Sequence, residues 1–247
     1  MVPISREQLA TLLHWFVPDR PGPLVGLHVI RTGCGTCLVD RWPRPRALLV
    51  ETAGNYSLAG DPEALAAADL RGHIAGFVEA PPRFVPLLAK AYPDLLVWDR
   101  VVLALHGPLQ PAPAPGRPVR RLRPDDAAAL DGLGAECHWI SKTWGGPAGL
   151  AASGMAWGTF SRDRLVSVAC VFFVGDRYEE VGVATEPGFR GNDLSTACAS
   201  VLCADILRRG RTPSWTTSPD NTASARVAEK LGFTRQRDDR LYVIQDR

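Results

Sequence analysis

The sequence predicts a two-part α/β (α+β) chain. Three observations carry that expectation: helix-like and strand-like segments alternate along the whole length, a proline-rich stretch divides it, and the second half closes its apolar segments on turn residues. The 247 residues are 46% hydrophobic and 22% charged, an ordinary globular composition with room for one large or two small domains. A net charge of +2 creates no demand for nucleic acid or for an anionic membrane as partner. No apolar run approaches the ~20 residues of a membrane helix. The opening "MVPISREQLATLLHWF" lacks the pattern of a secretory leader. Of the six cysteines, Cys170, Cys198 and Cys203 lie inside apolar runs and read as core thiols, which suits a reducing cytoplasm.

In the first half, "REQLATLLHWF" reads as a helix, and residues 24–30, 47–52 and 95–105 read as strands. "DPEALAAADLRGHIAGFV" has an acidic, proline-containing start and predicts a helix, and "PRFVPLLAKAY" predicts another, interrupted at Pro86. Cys34 and Cys37 form a CxxC without a second pair or a spaced histidine set, so no metal site is expected. The stretch "HGPLQPAPAPGRPV" predicts an extended polyproline-type linker. It yields domains at 1–107 and 117–247 joined by a linker at 108–116, with the second expected to fold and bind its ligand alone.

The second half reads strand, helix at "RPDDAAALDGL", helix and loop at "ECHWISKTWGGPAGLAASG", then strands at "MAWGTF", "RLVSVACVFFV" and "YEEVGVAT". The next helix places Leu194, Ala197, Cys198, Val201, Leu202 and Ile206 on one buried face, and Gly210 stops it. "PSWTT" is a short strand, and "NTASARVAEKLG" is a helix with Asn221 as cap and Gly232 as stop. "FTRQ" and "RLYVI" close the half as two strands. Ahead of the apolar helix stands a turn with Arg190 and Gly191. Free amides and the positive dipole end make such a turn an anion site. Asp193 opposes a phosphate there, although Asp is also a good N-cap.

That element order and two motifs, the strand–Pro–"RGNDLS" turn and "DNTASARVAEKLGF", resemble the GNAT superfamily of acyl-CoA-dependent N-acyltransferases over residues 117–247. "WISKTWGGPAGL" and "PSWTTSPDN" resemble more closely the branch that includes the zwittermicin resistance acetyltransferase. The resemblance implies a mixed, mostly antiparallel sheet flanked by helices, with the N-terminal half as a worn second copy. It implies acetyl-CoA as co-substrate, no metal, and a small-molecule primary amine as acceptor.

The family pattern Arg/Gln-x-x-Gly-x-Gly/Ala before the central helix falls on Arg190, Asp193 and Ser195. The resemblance therefore assigns the diphosphate to Arg190, Gly191, Asn192, Asp193, Leu194 and Ser195. It assigns the pantetheine arm to the amides of Val183, Ala184 and Thr185, then to Asn221 and Ser224. Asp193 departs from the pattern. A like-charge contact at ~4 Å and an effective dielectric near 20 costs about 4 kcal/mol. Either Asp193 turns away as a helix cap, or the turn shifts by a residue, or the cofactor binds weakly.

Acyl transfer to an amine needs a base, because an alkylammonium has a pKa near 10. Glu180 shares a strand face with Gly182 and Ala184, while Glu179 points the other way, so Glu180 is the leading base and Glu136 the second. Many relatives protonate the departing sulfur with a tyrosine on the last helix. Here that position is Ala228, and Ser224, one turn earlier, is the remaining hydroxyl. His138, Trp139 and Trp144 fall where the family holds its acceptor. The competing reading is a non-catalytic module, a decayed acyltransferase fold that binds a small ligand or protein.

Overall fold

The computed structural model describes residues 1–112 and 116–245, so residues 113–115 of the expected linker lie outside the described residues. The chain divides into two compact units. One comprises Met1–Pro18, Val25–Arg100 and Asp238–Arg247, the other Asp19–Leu24 and Val101–Arg237.

The first unit opens with β1 (Val2–Pro3), α1 (Arg6–Ala10) and α2 (Val25–Thr32), followed by β2 (Thr36–Val39), β3 (Ala47–Thr52) and β4 (Asn55–Gly60). Then come α3 (Ala67–Leu70), β5 (Gly76–Glu79), α4 (Val85–Ala91) and β6 (Leu96–Ala104). Ser5 caps α1 in a capping box with Gln8. The segment 24–30, expected as a strand, is the helix α2. It is buried at nearly every position, so its apolar run carried no period to separate helix from strand. Gly33, at φ 76°, ends it by donating its amide to the Val29 carbonyl. The helix expected over 61–78 breaks into a 3₁₀ turn, α3 and β5, because Gly72 and Gly76 take left-handed backbone. Pro86 does not interrupt its helix; it occupies the first turn of α4, where the missing N–H costs nothing. The expected helix over 6–16 stops at Ala10, with a 3₁₀ turn at Leu13–Trp15 beyond it.

The second unit holds β7 (Val119–Arg121), α5 (Ala127–Asp131), a ten-residue 3₁₀ helix at Ala135–Trp144, and α6 (Pro147–Ala152). Next are β8 (Ala156–Ser161), β9 (Arg164–Val174), β10 (Tyr178–Thr185), α7 (Leu194–Arg208), β11 (Thr212–Thr217) and α8 (Thr222–Lys230). The two strands expected at the end are one, β12 (Thr234–Ile244).

Within this unit the strand order is β7-β8-β9-β10-β11, completed by the second part of β6. The neighbours pair antiparallel except β10 with β11. The first unit repeats that scheme as β1-β2-β3-β4-β5 and the second part of β12, with β4 and β5 parallel. Both match the expected mixed, mostly antiparallel sheet. One core of the second unit packs Cys198, Leu202, Cys203 and Ile206 of α7 with Trp215 and Phe233. A second, on the other face, joins Leu130, Ile140 and Leu150 to Val168 and Cys170. In the first unit, Leu49, Leu58 and Val78 pack on Phe84 and Leu88.

The units divide the chain differently from the proline-rich boundary. Gln110 donates its amide to Leu231 O, and Leu109 and Ala112 pack on the α7 core, so the described part of that stretch is fastened to the second unit. Val101–Ala104 pair with β11. Asp19, buried, accepts the amides of Asp176, Arg177 and Tyr178 on Oδ2 at 2.9, 3.0 and 3.2 Å, closing the β9–β10 hairpin. A Cβ on Gly175 would stand 2.5 Å from that oxygen, so only glycine admits the carboxylate.

Asp19→Ala leaves three amides without their acceptor and is expected to cost about 2–4 kcal/mol, read as a drop in the urea midpoint. A fragment of residues 117–247 lacks both Asp19 and the β6 neighbour of β11. It is expected to show no cooperative unfolding transition by circular dichroism. A sharp two-state melt of that fragment contradicts this account of the unit.

Candidate active site

Strands β10 and β11 run parallel over only three residue pairs, Tyr178↔Thr212, Glu179↔Pro213 and Glu180↔Ser214. Beyond Glu180 the two strands part, and β10 continues to Thr185 paired with β9 alone. The pairing register places one extra residue, Phe172, on β9 opposite the Glu180–Val181 step, a bulge at the point of parting. Glu186 donates its amide to Val166 O, so by alternation Ala184 and Gly182 also turn their backbone groups to β9. Val181, Val183 and Thr185 turn theirs to the edge that β11 leaves. Val183 and Thr185, two of the residues expected to meet the pantetheine arm, lie on this edge, and the Thr185 carbonyl accepts from Arg190 Nε at 3.2 Å. The Ala184 amide is directed elsewhere, and Val181 was missed because only the ladder register identifies it.

The side chains of β10 alternate across the sheet. Glu179, Val181 and Val183 lie on the α7 face: Glu179 pairs with Arg209, and the valines pack with the α7 core. Gly182 lies on the other face, where an added Cβ would meet Ile140 and Phe172. Glu180 shares that face and is 6% exposed. Burial pushes the Glu179 carboxyl up, against the pull of Arg209. Ser214 and Thr216, alternate to Trp215 on β11, bring to the parting point buried hydroxyls that have no hydrogen-bond partner among the described residues; their period-two spacing is the one signal that could have found them.

Past Thr185 the chain turns through Pro187–Phe189 and enters α7. Gly191 takes φ 78°, with open space where a Cβ would stand. Asn192 donates its side-chain amide to Phe189 O and Arg190 O at 3.1 Å each, bracing the turn. Asp193 occupies the N-cap position at φ 53°, ψ 17°, yet its carboxylate makes no capping bond. Instead it pairs with Lys230 Nζ at 2.6 Å. Of the three alternatives for Asp193, the helix cap is not the one the side chain takes. Left-handed backbone aims its side chain away from the helix amides, and a cation meets it there. Leu194 is buried in the core, so only its backbone can serve a ligand, whereas Ser195 is half-buried. Arg190 is paired through Nη2 with Glu136 Oε2 at 2.6 Å, and both side chains are exposed. Glu136 is thus engaged with the turn.

Above the Glu180 face runs the 3₁₀ helix at Ala135–Trp144. His138 Nε2 donates to Leu133 O at 2.6 Å. Trp139, 39% exposed, meets Phe172 edge to face with ring centres 5.4 Å apart. Trp144 differs from the expectation of a substrate wall. Its indole donates to Val171 O at 2.7 Å and it packs between two cores, so it fastens this helix to β9.

On α8, Asn221 Oδ1 accepts the Ser224 amide at 3.1 Å, the expected N-cap. Ser224 Oγ accepts the Trp215 indole N–H at 2.9 Å, which leaves the hydroxyl hydrogen available to donate elsewhere. Ala228 is fully buried in the α7 core, with no hydroxyl in the place where many relatives carry tyrosine.

A family model described as GNAT acetyltransferase matches residues 127–242. An uncharacterized N-acetyltransferase in the mutA 5′ region of Streptomyces virginiae is 42% identical over 212 residues, covering 85% of this chain and 90% of that protein. The crystal structure of a GCN5-related N-acetyltransferase-like protein from Streptococcus suis 89/1591 shares the fold with a TM-score of 0.72 at 18% identity, over 96% of this chain and 98% of that one. A tandem GNAT protein from the clavulanic acid biosynthesis pathway shares it with a TM-score of 0.60 at 14% identity, over 98% and 96%. The likeness to these structures spans both units, and the identity to the Streptomyces protein goes beyond fold: the chain belongs to the GNAT family of N-acetyltransferases and is an acyltransferase.

Proposed function

We propose that the chain transfers an acetyl group from acetyl-CoA to a primary amine of a small molecule by direct attack in a ternary complex. The observation that carries this reading is the opened edge of β10 running into an uncapped helix start. Unpaired strand groups at Val181 and Val183 suit the amides of a pantetheine arm. The free amides of α7, with Gly191 and Arg190 in the turn, suit a diphosphate. Acetyl-CoA supplies the activated acyl group. Glu180 takes the proton from the acceptor amine, directly or through water. Ser224 donates a hydrogen bond toward the departing thiolate. His138 and Trp139 line the acceptor side, with the Trp139 face open to a cation.

Direct attack is favoured over an acyl-cysteine route by the state of the thiols. All six cysteines are free and five are buried. Burial pushes Cys37 and Cys198 up to about 12, and raises Cys137, Cys170 and Cys203 as well. A thiol is a nucleophile only as thiolate, and these are protonated at neutral pH.

Acetyl-CoA at about 100 times its Kd is expected to add roughly 2.7 kcal/mol of stability. The readout is thermal shift, and no shift at millimolar ligand sinks the acetyl-CoA reading. Glu180→Gln is expected to lower kcat roughly 10²-fold near pH 7 with little change in acetyl-CoA affinity. Wild-type turnover in that variant removes Glu180 as base. Iodoacetamide is expected to label native protein at Cys34 first. A stoichiometric acetyl thioester on a buried cysteine, trapped and seen by mass spectrometry, contradicts direct attack.

A further inference from the structure

Asp193 presents two separate problems, one of backbone and one of charge, and the structure answers them with different groups. The left-handed backbone at φ 53° is a conformation that glycine takes freely and that asparagine and aspartate tolerate better than other residues. The position therefore accepts Asp without a rebuilt turn. The charge is answered by Lys230, the last residue of α8, whose Nζ lies 2.6 Å from Asp193 Oδ1. The negative end of the α8 dipole favours an ammonium at this place. Both side chains are about half exposed, at 50% and 41%, so the pair adds little to folding stability.

We propose that Lys230 is part of the acyl-CoA site: its ammonium neutralises Asp193, and this compensation is what allows a carboxylate to stand in the diphosphate turn. The inference rests on the acetyl-CoA reading above. With the pair intact, the turn offers an incoming diphosphate the helix amides and Arg190 beside a neutral Asp–Lys unit. Without the ammonium, the same turn offers an unscreened carboxylate. Lys230 thus acts on affinity through Asp193, as a positioning and charge-balancing residue, and its effect depends on Asp193 being present. A lysine that bound phosphate on its own would act the same in either background.

The test is a double-mutant cycle on the full chain: wild type, Lys230→Met, Asp193→Gly and the double variant. CoA binding is followed by calorimetry, and thermal unfolding is followed in parallel. Lys230→Met is expected to weaken CoA roughly tenfold or more, and Asp193→Gly to bind at least as tightly as wild type. In the Asp193→Gly background, Lys230→Met is expected to change affinity by less than about threefold. Melting temperatures are expected to stay nearly level across the cycle. S-acetylpantetheine, which lacks the diphosphate, is expected to inhibit wild type and Lys230→Met equally. Equal losses from Lys230→Met in both backgrounds overturn the proposal, as does weaker CoA binding by Asp193→Gly. If wild type binds no CoA at all, the acetyl-CoA reading itself fails. Binding with an additive cycle defeats only the role given to Lys230.

Discussion

Strands β10 and β11 hold together for three residue pairs and then separate, and the candidate site is built on that separation. A strand edge inside a protein leaves alternate amides and carbonyls in need of partners. Along β10 that need falls on Val181, Val183 and Thr185. The bulge at Phe172 sits at the same point, so it turns the strand and aims Phe172 toward Trp139 where the edge opens. Everything the site requires is then close by: the Glu180 face, the buried hydroxyls of Ser214 and Thr216, and the turn into α7. Trp215 and Phe233 pack below in the α7 core and hold β11 on its own course.

The mouth of the site is balanced in charge. Arg190 is held by Glu136 and Lys230 by Asp193. Both pairs are exposed, so salt screens them and each adds little to folding stability. The buried network beneath α7 is of another kind. Asp205, 3% exposed at its side chain, receives Arg121, Arg208 and Arg209, and Arg209 also reaches Glu179. Removing one partner there strands a buried charge, which ties the C-terminal end of α7 to β7 and β10. Fixed at that end, the helix can leave its N-terminal end open.

The two units share a topology and differ where the chemistry would be. In the first unit β4 and β5 also run parallel for three pairs, from Asn55↔Phe77 to Ser57↔Glu79. The last residue of the strand takes an arginine in both units: Gly60 O accepts from Arg83 Nε at 2.8 Å, and Thr185 O from Arg190 Nε at 3.2 Å. The segment that follows is a 3₁₀ turn and the four-residue α3 in place of a long helix. Asp61 closes its start by accepting the Glu63 amide, and that bond, with Arg46, holds its carboxyl below the usual range. Asp61 thus caps the 3₁₀ turn Pro62–Ala64, whereas Asp193, at the start of α7, makes no capping bond.

The sequence by itself determined the elements whose cause is local. The apolar period of α7, the Asn221 cap, the run of β8, β9 and β10, and the Arg190–Gly191 turn all follow from residues within a few positions of one another. Their family likeness was legible for the same reason. Contacts between distant residues were not legible. α2 is buried from Val25 to Ile30, and a short buried apolar run alone does not separate a helix from a strand. Asp19 serves amides 157 to 159 positions away. Trp144 is committed to Val171, 27 residues on, and Asp193 to Lys230, 37 residues on. Whether Asp193 caps its helix or forms an ion pair depends on which cation reaches it through space. Local spacing carries no information about that, so only the tertiary structure decided it.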